Sequence, residues 1–262
     1  MPVTDLAALA DFACRLADAA RAETMPRWRS VGEAEDKGGA DFDPVTEADR
    51  ASERAMRRLI EEANPEHGII GEEFADRPSR SGLCWSLDPI DGTRAYVCGL
   101  PSWTTLIALL EGGEPVLGLI DAPRLDERYL GYGDKAVLRT SGGEIPLRTS
   151  ACRSLSDARF STTDPFLFAG AEREAFERLR AGARLTRYGH DAYGYARVAD
   201  GSLDLVVESG LKPFDLHALV PVVRGAGGVI GNWEGGSDCS SGRLVAAATR
   251  QLFDEAVALI TG

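Results

Sequence analysis

Histidine and cysteine are scarce, basic residues are outnumbered, and long apolar runs are missing. Only three histidines occur in 262 residues. His67, His190 and His217 have no spacing that would gather them on one metal, so each reads first as a packing or surface residue. The five cysteines are odd in number, far apart and without a C-x-x-C pair. That excludes a disulfide framework and a zinc site, and it fits a reducing compartment. Lysine and arginine total 29 against 41 acidic residues, a net charge of −12. Nucleic acid and anionic membrane are thereby excluded as main partners, because phosphate backbones need basic surface. No apolar run could span a bilayer. The start of the chain carries Asp5 and Asp11 where a signal peptide needs basic residues. There is no nucleophile elbow, P-loop, repeat or heptad. The expectation is a soluble cytoplasmic protein, large enough for one big core or two moderate ones.

What is present centres on Trp85-Ser86-Leu87-Asp88-Pro89-Ile90-Asp91-Gly92-Thr93-Arg94. Leu83, Trp85 and Leu87 alternate with Cys84 and Ser86, which predicts a strand. Pro89 removes a donor and fixes φ, so the strand is expected to end there. Asp88 and Asp91 on a tight turn can converge on one point, and Gly92 lets the backbone approach a ligand. A helix starting at Thr93 would turn free N–H groups towards the same point and favour an anion. Pro-X-Asp-Gly is also ordinary turn chemistry. Two further acidic sites follow predicted strands, however: Gly71-Glu72-Glu73 after Ile69-Ile70, and Pro213-Phe214-Asp215 after 203–207. Oxygen-only ligands suit magnesium. A pair of ions about 3.5–4 Å apart can clamp the attacking and leaving oxygens of a phosphoryl displacement. Glu72, Asp88, Asp91 and Asp215 form the natural ligand set.

Along the chain, residues 5–23 read as an amphipathic helix behind Thr4 as N-cap. Residues 29–43 are polar and aperiodic, an expected flexible loop placed to act as a lid. Thr46-Glu47-Ala48-Asp49 opens a second helix carrying Ala48, Ala55, Leu59 and Ile60 on one face, with Asp49 as the third residue of a capping box. Asn64-Pro65 ends it. Segments 104–110 and 115–120 form a β-hairpin around Glu111-Gly112-Gly113-Glu114, and three more short strands follow. Near 148–154 hairpins give way to strand–helix alternation, so the expected division is 1–148 and 149–262. The first part carries most metal ligands; the second carries substrate-reading residues and one ligand. A single helix is expected over about 214–225.

The three acidic elements, in that order and spacing, resemble the inositol monophosphatase family over nearly the whole chain. The resemblance implies an α/β fold of two lobes in a layered α-β-α-β-α sandwich, like that of inositol monophosphatase and fructose-1,6-bisphosphatase. It also implies magnesium-dependent hydrolysis of small phosphate monoesters with two or three ions, and a homodimer, for which the 104–120 hairpin is the expected contact surface. Carried over by position, Glu72, Asp88 and the Ile90 carbonyl would hold one metal, and Asp88, Asp91 and Asp215 a second. Gly92 and Thr93 would offer N–H groups to the phosphate. Asp49 with Thr93 would orient the attacking water, which makes Asp49, Thr93 and Glu72 the catalytic set.

Within that family, Tyr188-Gly189-His190-Asp191-Ala192-Tyr193 and Glu208-Ser209-Gly210-Leu211-Lys212-Pro213-Phe214-Asp215 resemble the histidinol-phosphatase branch. Asp191 and Glu208 would then read a substrate ammonium, since charge-assisted bonds are the strong kind. His190 stands where the branch has a small residue, and it would narrow the pocket or contact the substrate. The expected substrate is L-histidinol phosphate, with inositol-1-phosphate or another sugar phosphate as the alternative. Gly131-Tyr132-Gly133-Asp134-Lys135-Ala136 fits the dinucleotide fingerprint G-x-G-x-x-A, but β-like residues follow it instead of the required helix. A dinucleotide-binding oxidoreductase therefore ranks below, as does a non-catalytic metal-binding module. Trp85 and Trp103 read as wall and core residues.

Overall fold

The computed structural model describes residues 5–29, 35–36 and 44–262. The expected lid segment lies outside the described residues, apart from Arg29 and a two-residue strand. In chain order the elements begin with α1 (Leu6–Arg27), β1 (Glu35–Asp36), β2 (Pro44–Val45) and α2 (Glu47–Ala63). A run of strands follows: β3 (Gly68–Gly71), β4 (Leu83–Asp91), then after the short α3 (Thr93–Val97), β5 (Thr104–Glu111), β6 (Glu114–Ala122), β7 (Glu127–Tyr132), β8 (Lys135–Thr140) and β9 (Gly143–Pro146). The remainder is β10 (Arg159–Thr162), α4 (Gly170–Gly182), β11 (Leu185–Tyr188), α5 (Asp191–Ala199), β12 (Leu205–Glu208), α6 (Pro213–Leu216), α7 (Leu219–Gly225), β13 (Val229–Asn232), β14 (Leu244–Ala247) and α8 (Arg250–Thr261).

Strands β3 to β9 form one seven-stranded sheet in sequence order, parallel at β3–β4 and antiparallel elsewhere. The second sheet has five strands in the order β11-β10-β12-β14-β13. Apolar residues on both faces of β5 explain the layering, because such a strand must be covered twice. Ile107 and Leu109 face Leu16, Met56 and Ile60 of α1 and α2. Leu106 and Ala108 face Tyr195, Leu219 and Val222 of α5 and α7, which in turn cover Val206 and Ala246 of the second sheet. The far side of that sheet, with Phe160, Leu205 and Val245, is sealed by Phe176 of α4 and Phe253 of α8. The stack is helix, sheet, helix, sheet, helix, as the resemblance implied. Between its layers α7 runs very close to the first sheet: a Cβ on Gly118 would overlap the Ala218 carbonyl oxygen, and one on Gly131 the Pro221 carbonyl.

Several local expectations change. Asp5, not Thr4, caps α1; its carboxylate accepts from the N–H groups of Ala7 and Ala8, two of the orphan donors of a helix start. In α2 Ala48 and Ile60 of the expected face are deeply buried, with Asp49, Ser52, Glu53 and Met56 beside them, while Ala55 and Leu59 are half-buried. Strand β4 does not stop at Pro89. A bulge sets Pro89 and Ile90 against Thr105 alone, so the missing N–H is tolerated and pairing resumes at Asp91 with Thr104. The helix expected over 214–225 is two, because Pro221 has no N–H to give the His217 carbonyl. The 104–120 hairpin cannot be a contact surface along its strands: β5 and β6 lie mid-sheet with most residues buried, and only the turn around Gly112 is exposed.

Candidate active site

The acidic residues meet where both sheets deliver their strand ends. Asp88 and Asp91 leave β4; Glu72 follows the parallel neighbour β3, its N–H donating to Leu87 O at 3.3 Å. Asp215 arrives on α6, where it accepts the Lys212 N–H at 2.7 Å as a helix cap. One carboxylate oxygen from each of Asp88, Asp91 and Asp215 lies within 4.8 Å of the others. Burial, then repulsion by Glu72, Asp91 and Asp215, holds the Asp88 carboxyl well above its usual range. Asp91 is raised likewise by burial and by the charges of Asp191 and Asp215, although its Oδ2 accepts the Ala192 N–H at 2.7 Å. A buried all-oxygen cluster that repels itself in this way fits a hard divalent cation, whose charge would remove the repulsion.

The cluster lines a cavity of about 410 Å³. Glu72, Asp88, Ile90, Asp91, Gly92, Thr93, Asp191, Glu208 and Asp215 all line it. Gly92 caps α3 at φ 78, and the Thr93 hydroxyl donates to the Ile90 carbonyl at 2.9 Å. Asp191 starts α5 beside Asp91 and Gly92, and Glu208 ends β12. Burial pushes Asp191 up to about 6, with Arg94 pulling the other way. Glu208 is 3% exposed and pushed up to about 8 by burial, although Thr163 donates its N–H to Oε1 at 2.6 Å.

Two expected site residues stand behind the cavity wall. Asp49 is 1% exposed, and its Oδ2 accepts from the N–H and hydroxyl of Thr46 at 2.8 and 2.6 Å. Burial, with Glu73 and Glu72 adding repulsion, raises it to about 7. The capping box is therefore real, and it lies within electrostatic reach of the loop that carries Glu72 and Glu73. His190 points its Nδ1 at Ser161 Oγ, 2.9 Å away. The other signals set aside stay outside the site. His67 accepts from Trp85 Nε1 at 3.1 Å, His217 pairs with Ser86 Oγ at 2.9 Å, and Trp85 and Trp103 are fully buried. The glycine fingerprint is the β7–β8 hairpin turn.

Sequence reading missed Arg94, Thr163, Leu167 and Lys212, which also line the cavity. It missed Glu53 too. Fully buried on α2, Glu53 accepts from the Glu73 N–H at 2.8 Å and from Arg57 Nε at 2.7 Å, while Arg57 Nη2 donates to the Phe74 carbonyl at 3.0 Å. This buried pair brackets the loop that carries Glu72. The i,i+4 spacing of Glu53 and Arg57 was the only sequence signal, and it reads as a surface pair.

A model of the inositol monophosphatase family matches residues 5–261. The chain belongs to the inositol monophosphatase family. A histidinol-phosphatase from Streptomyces coelicolor is 38% identical over 257 residues, 92% of either chain. The bifunctional phosphatase IMPL2, chloroplastic, of Arabidopsis thaliana is 42% identical over 234 residues; the match spans 88% of this chain but 66% of that protein's length. The solved structure of an inositol monophosphatase from Zymomonas mobilis superposes with a TM-score of 0.85 at 38% identity, covering 99% of this chain and 100% of that one. The implied fold and family resemblance hold. Relatives named for both substrates occur, so the chain is a phosphatase of this family with its ester left to the site. No helix among the described residues is long and apolar enough to cross a membrane.

The raised carboxyls make a pH prediction for chelator-treated protein. Asp49 rises from 3.8 to about 7 and Glu208 from 4.5 to about 8 on folding. Between those values the folded state holds protons that the unfolded state has lost, so stability falls as pH rises through the window. Carboxyls with lowered values, such as Asp204 beside Arg159, act in the opposite sense at acid pH, and the three histidines, all lowered by burial, oppose the fall up to their ordinary value of 6.5. Calorimetry in EDTA should give a midpoint that drops from about pH 6.5 to pH 8. A midpoint that climbs over that range would contradict the burial described here.

Proposed function

We propose that the protein hydrolyses L-histidinol phosphate to L-histidinol and phosphate, with magnesium held by Glu72, Asp88, Asp91, Asp215 and the Ile90 carbonyl. The observation that carries the substrate is the pair Asp191 and Glu208. Glu208 is buried and Asp191 half-buried in the cavity that also contains the acidic cluster, and Glu208 accepts the Thr163 N–H rather than bonding a protein cation. A substrate ammonium would supply the missing charge and draw both carboxyls back to their ionised forms. Inositol-1-phosphate has no such group to offer.

When bound, magnesium supplies Lewis-acid polarisation of the phosphate and lowers the pKa of a coordinated water. The chain does the rest. Gly92 and Thr93 give N–H groups to the phosphate oxygens at the start of α3. Asp49 Oδ2 is fixed by Thr46, and its other oxygen would accept a proton from the attacking water. A carboxyl poised at about 7 is matched to that task near neutral pH. Arg94 and Lys212 place positive charge in the same cavity.

The test is phosphate release in magnesium, compared as kcat/KM across histidinol phosphate, inositol-1-phosphate, fructose-1,6-bisphosphate and adenosine-3′,5′-bisphosphate. Histidinol phosphate should lead by roughly a hundredfold or more, since a site built around a polar partner is left unpaired without it. Glu208→Gln should cut activity on histidinol phosphate far more than on glycerol-2-phosphate. Preference for inositol-1-phosphate would overturn the substrate and leave the phosphatase chemistry standing.

A further inference from the structure

The turn between β11 and α5 has an unusual backbone. Gly189 has φ 79 and Asp191 has φ 48, so two left-handed residues flank His190. Aspartate tolerates this region better than most residues with a Cβ, yet the conformation is uncommon and must be held from outside. Three ties hold it. The Gly189 N–H donates to the Thr163 carbonyl at 2.8 Å, and the Ala192 N–H donates to Asp91 Oδ2 at 2.7 Å. Between them His190 Nδ1 meets Ser161 Oγ at 2.9 Å.

Ser161 lies on β10, 1% exposed, and its hydroxyl also donates to the Arg187 carbonyl at 3.2 Å. With the hydroxyl proton so directed, the neutral imidazole carries its own proton on Nδ1 and donates it to Ser161. The histidine packs over Gly194 of α5, where an added Cβ would lie 3.5 Å from His190 Cβ. The turn held in this way brings the Asp191 carboxylate against Gly92: a Cβ there would lie 2.9 Å from Asp191 Oδ2. Just beyond β10, Thr163 donates its N–H to Glu208. One strand end thus supports both carboxylates.

We propose that His190 is a positioning residue for Asp191. Through Ser161 it holds the turn in the left-handed form that presents the Asp191 carboxylate to the cavity, and it thereby sets the selectivity for phosphate esters that carry a cation. This rests on the reading of Asp191 as a partner of the substrate's cation.

Four variants test it: His190→Ala, Ser161→Ala, His190→Asn and Asp191→Asn. KM and kcat are measured on histidinol phosphate and glycerol-2-phosphate, with amide hydrogen exchange followed over 188–194. His190→Ala and Ser161→Ala should each raise KM for the amine ester, relative to the uncharged one, by about tenfold, the scale of one lost hydrogen bond. The double variant should be no worse than either single one, because both break the same tie. His190→Asn, whose amide nitrogen can stand where Nδ1 stands, should recover most of the loss. Exchange over the turn should quicken in the alanine variants and not in His190→Asn. If Asp191→Asn separates the two esters and His190→Ala does not, or if asparagine fails to rescue, the proposal is overturned. If Asp191→Asn does not separate them, the substrate reading has failed by itself. Exchange then decides the positioning role: quickened in alanine and normal in asparagine upholds it, unchanged in both overturns it.

Discussion

Asp91→Asn should lower kcat/KM by roughly a thousandfold and weaken magnesium binding in parallel. The change keeps the size of the side chain and the Ala192 N–H bond to Oδ2, but it removes one of three carboxylates whose oxygens lie within 4.8 Å of one another. A metal's stabilisation of developing charge amounts to several kcal/mol, and each 1.36 kcal/mol is tenfold in rate. Two measurements check it: steady-state turnover over a magnesium titration, and calorimetric binding of magnesium to the free protein. In calorimetry of unfolding, the variant should also be the more stable protein when metal-free, since a repelled, buried charge has gone. Normal magnesium-dependent turnover would remove Asp91 from the ligand set.

Asp49→Ala should behave in the opposite way, with turnover falling by about 10²–10⁴, the usual contribution of a positioned base, while magnesium affinity changes little. The capping box complicates the comparison, because Thr46 loses its partner as well. A lost cap costs about 0.5–2 kcal/mol of stability, which urea unfolding would register separately from kinetics. Asp49→Asn keeps an oxygen for Thr46 and so retains most of the cap, yet it should be as slow as the alanine variant. Full turnover in Asp49→Asn would reduce Asp49 to a structural residue.

What could be read from the sequence was whatever chain order alone encodes. Glu72 follows one apolar strand and Asp88 and Asp91 close the next, and strand ends in an α/β protein converge by construction. Thr46 to Asp49 announced its capping box because that contact is three residues long. Illegible were the features made by distant packing. The bulge that carries β4 past Pro89 depends on Thr105, whose hydroxyl donates to the Pro89 carbonyl at 2.8 Å. Glu53 looked like an exposed helix residue until the loop after β3 folded over it. His190 was placed in the cavity for its neighbour's sake, but β10, distant in sequence, supplied Ser161 and drew the ring behind the wall. The middle hairpin looked available as a surface because its second face is covered only by helices that come seventy or more residues later.

The close seating of α7 on the first sheet gives the protein a fixed gauge. Gly118 and Gly131 let strand backbone touch helix backbone at Ala218 and Pro221, with no side chain between them that could adopt another rotamer. Asp215 lies on α6, a few residues ahead of that contact, whereas Asp88 and Asp91 belong to the sheet itself. The separation between the two groups of carboxylates is therefore machined by atoms that are absent. Laboratory evolution towards a larger ion could reshape loops freely, but it would find this dimension closed. A methyl group at either glycine would act as a shim, and it would shift Asp215 against Asp88 and Asp91 without touching any of the three.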